Sequence, residues 1–362
     1  MISCEQPASH VPLAPLTTLR VGGEAQRYMC ARTAEDVAGA HEWCRQRSLP
    51  LFVLGGGSNI VVADRGFDGL VLQMAIGGID WAERGGECLL RVGAGEPWDP
   101  IVSAAVSRGL AGIECLSGIP GSAGGTPIQN VGAYGQELSA VVAEVTAFDR
   151  VSAEIVVLPA AECRFGYRTS RFKHEDSGRF VICSVALQLR PGPPTVTYPD
   201  LADDLRRRAV SSPTLDDVRQ AILSIRRRKS MVLDETDPDT RSVGSFFTNP
   251  VLDAAAYARL VSENGGAVPG FPQPDGRVKV PAAWLIERAG FRRGFESGAV
   301  GLSSRHPLAL VTRSGATARD VLQLAVRLKR EVADRFGVHL APEPVFVGFE
   351  DDSDLDYLLE TR

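Results

Sequence analysis

The chain has 362 residues, 44% hydrophobic and 23% charged, a globular composition too long for one ordinary core, so two or three domains are expected. A net charge of −5 offers no basic excess for nucleic acid, and no apolar run approaches the ~18 residues a membrane helix needs. Seven cysteines (Cys4, Cys30, Cys44, Cys88, Cys115, Cys163 and Cys183) stand singly with no C-x-x-C pair, and MISCEQPASHVPLAP, with neither a basic start nor an apolar run, is not expected to act as a signal peptide. Metal and redox-pair chemistry are therefore not expected, and a reducing, cytoplasmic setting is.

Residues 1–15 read as a loose lead-in. Thr33-Ala-Glu-Asp36 is a capping-box pattern that opens a helix through about Arg47, with Val37, Ala40, His41 and Cys44 on one face and His41 at the core edge. Leu51–Leu54 reads as a short buried strand running into Gly55, Gly56, Gly57, Ser58 and Asn59, then a second strand at Ile60–Val62. This glycine turn is either a tight bend or a phosphate cradle. Neither the dinucleotide fingerprint G-x-G-x-x-G after a strand nor the nucleotide-hydrolysis loop G-x-x-x-x-G-K-[S/T] occurs.

A strand at Cys88–Val92 and a helix from Trp98 to Arg108, with Ile101, Val102, Ala105 and Val106 inward, lead to Leu116–Gly135, LSGIPGSAGGTPIQNVGAYG. Gly118, Pro120, Gly121, Ser122, Gly124, Gly125 and Gly132 leave too little apolar side chain for a strand or helix. Bare backbone permits positive φ and close main-chain approach, and successive N–H groups form a concave anion site. Gln129 and Asn130 add amides that donate and accept. A loop this long is functional or disordered, and Ile119, Ile128 and Val131 sit badly with disorder. It is read as a cradle for a diphosphate and a polar heterocycle.

Residues 140–149 and 154–158 read as paired strands of a small α+β unit. In Cys163–Lys173 four basic residues (Arg164, Arg168, Arg171 and Lys173) alternate with aromatics. Either one arginine grips a carboxylate in a pocket, or they form a solvated basic strand edge. A strand at Phe180–Leu189 and a proline-rich link lead to Tyr198. A helix from Leu215 ends on the basic run Arg226–Lys229, which suits a small anion or simply complements the helix dipole.

The acidic stretch 231–241 marks a domain border. Beyond it, Ser245 in GSFFTNP sits in a tight turn beside two phenylalanines, a setting that also lets a serine simply bond its own backbone. A short helix at 282–289, a second capping box at Thr317–Asp320 opening a helix stopped by Gly337, and a strand at 339–348 carrying Glu343 between two prolines follow. The acidic tail, 349–362, is expected to fray.

Taken together, TTLRVGG (17–23), GGGSN (55–59), IPGSAGGTPIQNVGAYG (119–135), ECRFGYR (162–168), GSFFTNP (244–250) and PEPVF (342–346) resemble the bacterial UDP-N-acetylenolpyruvoylglucosamine reductase family (MurB, UDP-N-acetylmuramate dehydrogenase) over residues 16–348. The resemblance implies an α+β fold: a two-part FAD-binding region of the vanillyl-alcohol-oxidase/PCMH type, placed at 1–80 and 81–230, and a C-terminal α+β substrate-binding domain at 231–338. Residues 339–348 then return as a strand to the active site. It implies non-covalent FAD, held by residues 55–59 and by Gly118, Pro120, Gly121, Ser122, Gly124, Gly125, Gln129, Asn130, Gly132, Ala133 and Tyr134. It implies NADPH as hydride donor and UDP-N-acetylglucosamine enolpyruvate as substrate, in a monomer with no nucleic-acid or membrane partner and no metal.

By the same resemblance, Arg168 is the cationic partner of the developing enolate and Glu343, protonated in the working state, its second stabiliser. Ser245 is the acid that protonates the α-carbon. Tyr198, Arg226, Lys229 and Asn249 anchor the substrate, with Tyr198 on the substrate-covering loop of one subclass. SSRHPLAL (303–310) departs from the glutamine-bearing family version, leaving His306 as a further substrate candidate. The alternatives are another FAD oxidoreductase on the same fold and a non-catalytic nucleotide-sugar binder. Neither of those needs Ser245 and Glu343.

Overall fold

The computed structural model describes residues 6–266 and 268–360. They divide into two compact units: one holds residues up to Pro12, Glu24–Ser58 and Phe67–Val232, the other Leu13–Gly23, Asn59–Gly66 and the chain from Leu233 onward. Both glycine-rich loops lie in the first unit except for Asn59, which groups with the second.

The first unit begins with a four-stranded sheet in the order Ala8–Pro12, Glu24–Ala31, Phe67–Met74, Leu51–Leu54. The first pair is antiparallel and the other two are parallel. The expected loose lead-in is thus an edge strand from Ala8 onward, paired to Tyr28, Arg27, Ala25 and Glu24. Helix α1 (Ala34–Arg47) forms as its sequence predicts. The Thr33 side chain accepts from the Asp36 amide, the Asp36 carboxylate takes the Thr33 amide, and Ser48 at φ +53° ends the helix. Val37, Ala40 and Cys44 are buried, while His41 is half-buried and edge-on to Phe148, 5.4 Å between ring centroids.

A second, antiparallel sheet follows in the order Glu154–Pro159, Val142–Asp149, Phe180–Pro191, Glu87–Gly93, Ile79–Arg84. Its central strand buries Val181, Ile182, Cys183, Val185, Leu187 and Leu189, and α2 (Trp98–Ser107) adds Trp98, Ile101, Val102 and Ala105 to the same core. A satellite core joins α3 (Pro199–Arg207) to α4 (Leu215–Arg228) through Leu201, Leu205, Val218, Ile222 and Ile225. Helix α3 was hidden by its position just after a proline-rich link. Asp204, almost buried, holds it to the basic end of α4 by accepting from Arg207, Arg208 and Arg228.

In the second unit α5 (Ala254–Glu263), α6 (Ala282–Arg288) and α7 (Ala318–Phe336) surround a core containing Phe246, Phe247, Leu285, Ile286, Leu322 and Leu328. Leu19 and Val21 of the segment TTLRVGG are buried in it, and Thr18 donates to the Ser242 carbonyl at 2.6 Å. Ile60–Val62 pairs in parallel with Val345–Val347. Helix α7 has the Thr317–Asp320 box at its start and Gly337, φ +61°, at its end, as the sequence predicts.

The tail departs from expectation. Instead of fraying, it forms α8 (Ser353–Leu359), with Leu358 fully buried. The fully buried Lys329 of α7 donates to the carbonyls of Tyr357 (2.9 Å), Leu358 (2.8 Å) and Glu360, and Arg319 pairs with Asp352 and Asp354 (2.9 Å). An ammonium on the last carbonyls of a helix satisfies acceptors that otherwise lack partners, so acidity along the tail does not prevent docking.

Candidate active site

In the first unit the two glycine-rich loops press backbone on backbone. A Cβ on Gly56 would lie 2.6 Å from the Gly121 Cα, one on Gly55 would lie 2.8 Å from the Ser122 Oγ, and one on Gly121 would lie 2.8 Å from the Ser58 Oγ. Ser58 locks the contact by donating to the Pro120 carbonyl at 3.1 Å. Gly118 (φ +71°) and Gly121 (φ +118°) also adopt backbone that other residues avoid. The second loop is tied to its own unit by Trp98 N–H to Gly121 O (3.0 Å), Ala123 N–H to Glu96 O (2.8 Å) and Gly124 N–H to Ala94 O (2.9 Å).

Among the described residues the Ser122 hydroxyl is buried with no hydrogen-bond partner. A buried hydroxyl without a partner is costly unless a ligand supplies one. Set in a wall of main chain that tolerates no Cβ, it fits the phosphate oxygens of a dinucleotide, and these residues suit FAD on that ground. The glycines of this loop do not all serve the same end. Gly124 is required by packing on Ala94, 2.6 Å from its Cβ position, whereas Gly125 faces open space.

Asn130, read from the sequence as a cofactor residue, has partners within the protein. Its amide nitrogen donates to Glu137 (2.9 Å) and the Gly166 carbonyl (3.0 Å), and its oxygen accepts from the Ser139 amide (2.9 Å). The side chain thus braces the loop against Glu137, Ser139 and Gly166.

The basic segment 163–173 is not a strand edge. It is a turn-rich loop closed by Gly166 and Thr169, with Arg164 and Arg168 at φ +49° and +54°. Arg164 pairs with Glu175 and Arg171 with Asp176 (2.7 Å) on the protein's own surface. Arg168 alone of these three turns to the glycine loop, donating to the Gly132 carbonyl at 2.8 Å. Tertiary contact thus separates three arginines that composition could not.

At the far end of α4 lie the expected substrate anchors. Tyr134 meets Tyr198 edge to face at 5.4 Å, and Lys229 pairs with Asp200 at 2.9 Å. Burial pushes the Tyr134 hydroxyl pKa up, against the pull of Arg226 and Lys229. Arg226 is buried and donates to the Met231 carbonyl (2.6 Å), while its Nε has no partner among the described residues and lies 3.4 Å from the Gly118 Cβ position. Its burial lowers the guanidinium pKa, opposed by Tyr134 and Asp99. Sequence reasoning missed Asp99, which ties α2 to both loop and helix. It accepts from the Gly118 amide (2.6 Å) and, bidentately, from Arg219 (2.7 and 2.8 Å). Burial alone would raise its pKa, but these donors and the nearby Arg226 hold it below the usual aspartate range.

The second unit builds a separate cluster around Ser245. The amide of Phe246 donates to the Leu308 carbonyl and its carbonyl accepts from the Glu343 amide, both at 2.8 Å. Phe247 also bridges to Pro342. The GSFF segment is therefore sandwiched between the 306–308 and 341–343 segments, which places the half-buried Ser245 and Glu343 on neighbouring strands of chain. Asn59, read from the sequence as a cofactor residue, belongs here: its amide donates to the Glu343 carbonyl (3.4 Å) and its carbonyl accepts from Val345 (3.0 Å).

Ser245 does not bond its own backbone. Its hydroxyl lies 3.3 Å from the Nε2 of His306. Asn249, expected to contact substrate, uses its side-chain oxygen on the Ala282 amide (2.9 Å) at the start of α6. No group of three or more His, Cys, Asp or Glu side chains suited to a metal ion occurs among the described residues, and no helix among them is long and apolar enough to cross a membrane.

Comparison with known proteins adds to this geometry. Residues 25–158 match the model of an FAD binding domain, and residues 237–347 match that of the UDP-N-acetylenolpyruvoylglucosamine reductase C-terminal domain. The chain is 47% identical to the UDP-N-acetylenolpyruvoylglucosamine reductase of Thermobifida fusca, over 94% of this chain and 98% of that one. It is 45% identical to that of Mycobacterium tuberculosis, over 94% and 95%. The crystal structure of the Thermus caldophilus enzyme superposes with a TM-score of 0.64 at 25% identity, covering 94% of this chain and 98% of that one.

Proposed function

The chain belongs to the UDP-N-acetylenolpyruvoylglucosamine reductase family, and from that premise we propose that it reduces the enolpyruvyl group of UDP-N-acetylglucosamine enolpyruvate to UDP-N-acetylmuramate in peptidoglycan precursor synthesis. When bound, FAD would supply the two-electron chemistry that links NADPH to the enolpyruvyl group. The chain's own residues hold the cofactor, anchor the substrate, stabilise charge and deliver one proton.

The Gly55–Ser58 and Gly118–Ser122 turns cradle the diphosphate with bare main chain and the Ser122 hydroxyl. Tyr198, exposed at the start of α3, and Lys229, half-buried at the end of α4, meet the substrate diphosphate. Arg226, buried behind them, adds positive potential and a free Nε donor. Hydride addition leaves negative charge shared between the α-carbon and the carboxylate. Arg168 and Glu343 stabilise that charge, and donors preorganised around it supply much of the rate. Ser245 then gives its hydroxyl proton to the α-carbon: the O–H bond breaks, the C–H bond forms, and solvent reprotonates the oxygen.

The observation that supports this reading is the GSFF segment, whose main chain is hydrogen-bonded to Leu308 on one side and to Glu343 on the other, so that Ser245 and Glu343 lie on adjacent segments of one unit. The test is the absorption spectrum of the purified protein. A yellow preparation that bleaches with NADPH and recovers its colour on adding the enolpyruvyl substrate is expected. A colourless protein that cannot be loaded with FAD, or reduced protein indifferent to the substrate, would refute it.

A further inference from the structure

A serine hydroxyl is a weak acid, with nothing in its own chemistry to make it give up a proton to carbon. The environment of Ser245 contains an answer. Among the described residues its Oγ meets the Nε2 of His306, at 3.3 Å. Which of the two donates depends on where the imidazole carries its proton. The other ring nitrogen, Nδ1, faces the main-chain amide of Leu308 at 3.4 Å. An amide N–H can only donate, so Nδ1 is the acceptor and the neutral ring carries its hydrogen on Nε2.

We infer that His306 is a positioning residue for the reduction: it donates Nε2–H to the Ser245 oxygen, frees the serine's single hydrogen to point at the substrate, and stabilises the alkoxide left when that hydrogen departs. No proton leaves the imidazole, so the step balances as written for Ser245 alone, with solvent restoring the hydroxyl. The inference rests on Ser245 being the acid.

The ring is held in place by a polar network in the same unit. The Asp239 carboxylate, almost buried, accepts from the Ser303 hydroxyl (2.9 Å), the Ser304 amide (2.7 Å) and the Ser304 hydroxyl (2.9 Å), and pairs with Arg313. Ser303 in turn accepts at Oγ from the amides of Arg305 (3.1 Å) and His306 (3.3 Å). A buried, fully engaged carboxylate thus fixes the 303–306 turn, and the turn fixes the imidazole. Such a chain is what placement within a few tenths of an ångström requires.

The test compares His306→Leu, which removes the donor, with His306→Gln, whose amide nitrogen reaches about as far as Nε2. Stopped-flow absorbance follows the two half-reactions separately, in H2O and D2O. His306→Leu is expected to keep bound FAD and its reduction by NADPH, and to slow reoxidation by substrate roughly 10- to 100-fold, the effect of losing one bond to a charged oxygen. The solvent isotope effect on that step should rise as proton transfer becomes limiting, while His306→Gln restores most of the rate. In a Ser245→Ala background, His306→Leu should add no further loss, because the two act as one unit.

Should His306→Leu fail to fold, His306→Asn, too short to reach Oγ, carries the same expectation. Wild-type reoxidation in the donor-less variant, equal impairment by Leu and Gln, or additive losses in the double variant would overturn the inference. Unimpaired reoxidation in Ser245→Ala alone would overturn instead the assignment of the acid on which it rests.

Discussion

The two units solve different problems with opposite materials. In the first, the site is made by leaving side chains out. Gly55, Gly56 and Gly121 let two loops approach to distances no Cβ permits, and the Ser122 hydroxyl is buried among them with no partner among the described residues. In the second, the proposed site relies on side chains, a serine, an imidazole and a carboxyl, on segments held by main-chain bonds through Phe246 and by the Asp239 network. A cradle is specified by shape and fails when atoms are added. A proton-delivery site is specified by chemistry and fails when atoms are removed.

The largest expected effect probes the second unit. Ser245→Ala should leave yellow protein and NADPH oxidation intact and slow substrate-driven reoxidation roughly 100- to 10,000-fold, the usual worth of a positioned acid. Rapid-mixing traces showing normal reoxidation would break the contrast outright.

The next variants probe the first unit by addition. Gly56→Ala puts a methyl 2.6 Å from the Gly121 Cα, and should cost about 3 kcal/mol of stability together with bound FAD, by overpacking. Gly125→Ala adds the same methyl where nothing protein lies within 4 Å, so thermal unfolding of the FAD-free form should be unchanged. Equal melting shifts for the two would show that the loops are not held by backbone contact.

A smaller effect is expected from Asp99→Asn, which removes the charge accepting from Gly118 and Arg219, at a cost of about 2 kcal/mol at neutral pH. The Asp99 carboxyl is held below its ordinary range in the folded state. Its stabilisation is therefore present above its unfolded pKa, about 4, and is lost as pH falls through the lower folded value. Denaturant midpoints of wild type and variant should converge in acid; a constant gap from pH 7 down to pH 3 would contradict this.

The smallest effect belongs to the tail. Lys329→Met keeps the packed stem but not the ammonium on the last carbonyls of α8, and should cost about 1.5 kcal/mol, confined to faster hydrogen exchange and proteolysis around residues 353–360. Turnover should not change.

Much of this molecule is legible along the chain where the determinants are local. The capping boxes at Thr33 and Thr317, the stop at Gly337 and the apolar face of α2 depend on residues three or four apart, and their helices stand where those patterns put them. Helices α3 and α5 and the strands at 24–31 and 67–74 were not read. The first follows a proline-rich link; the strand at 67–74 pairs in parallel on both sides and is buried in a row from Gly69 to Leu72, and the strand at 24–31 is half-buried along most of its length, so neither alternates. The glycine loops declared themselves by composition alone. Composition could not say that Asn130 braces its own loop, that Asn249 caps α6, or that Asn59 lies with Glu343.

Sequence by itself thus determined the local elements, the Gly-rich runs and, through six ordered motifs, the family. Which arginine of 164, 168 and 171 faces the loop, why the tail docks, and what touches Ser245 were decided only in three dimensions. Those facts depend on partners tens of residues distant: Gly132 for Arg168, Lys329 for α8, His306 for Ser245. A hydrogen bond is set by where two atoms end up, and for residues so far apart only the packed core determines that.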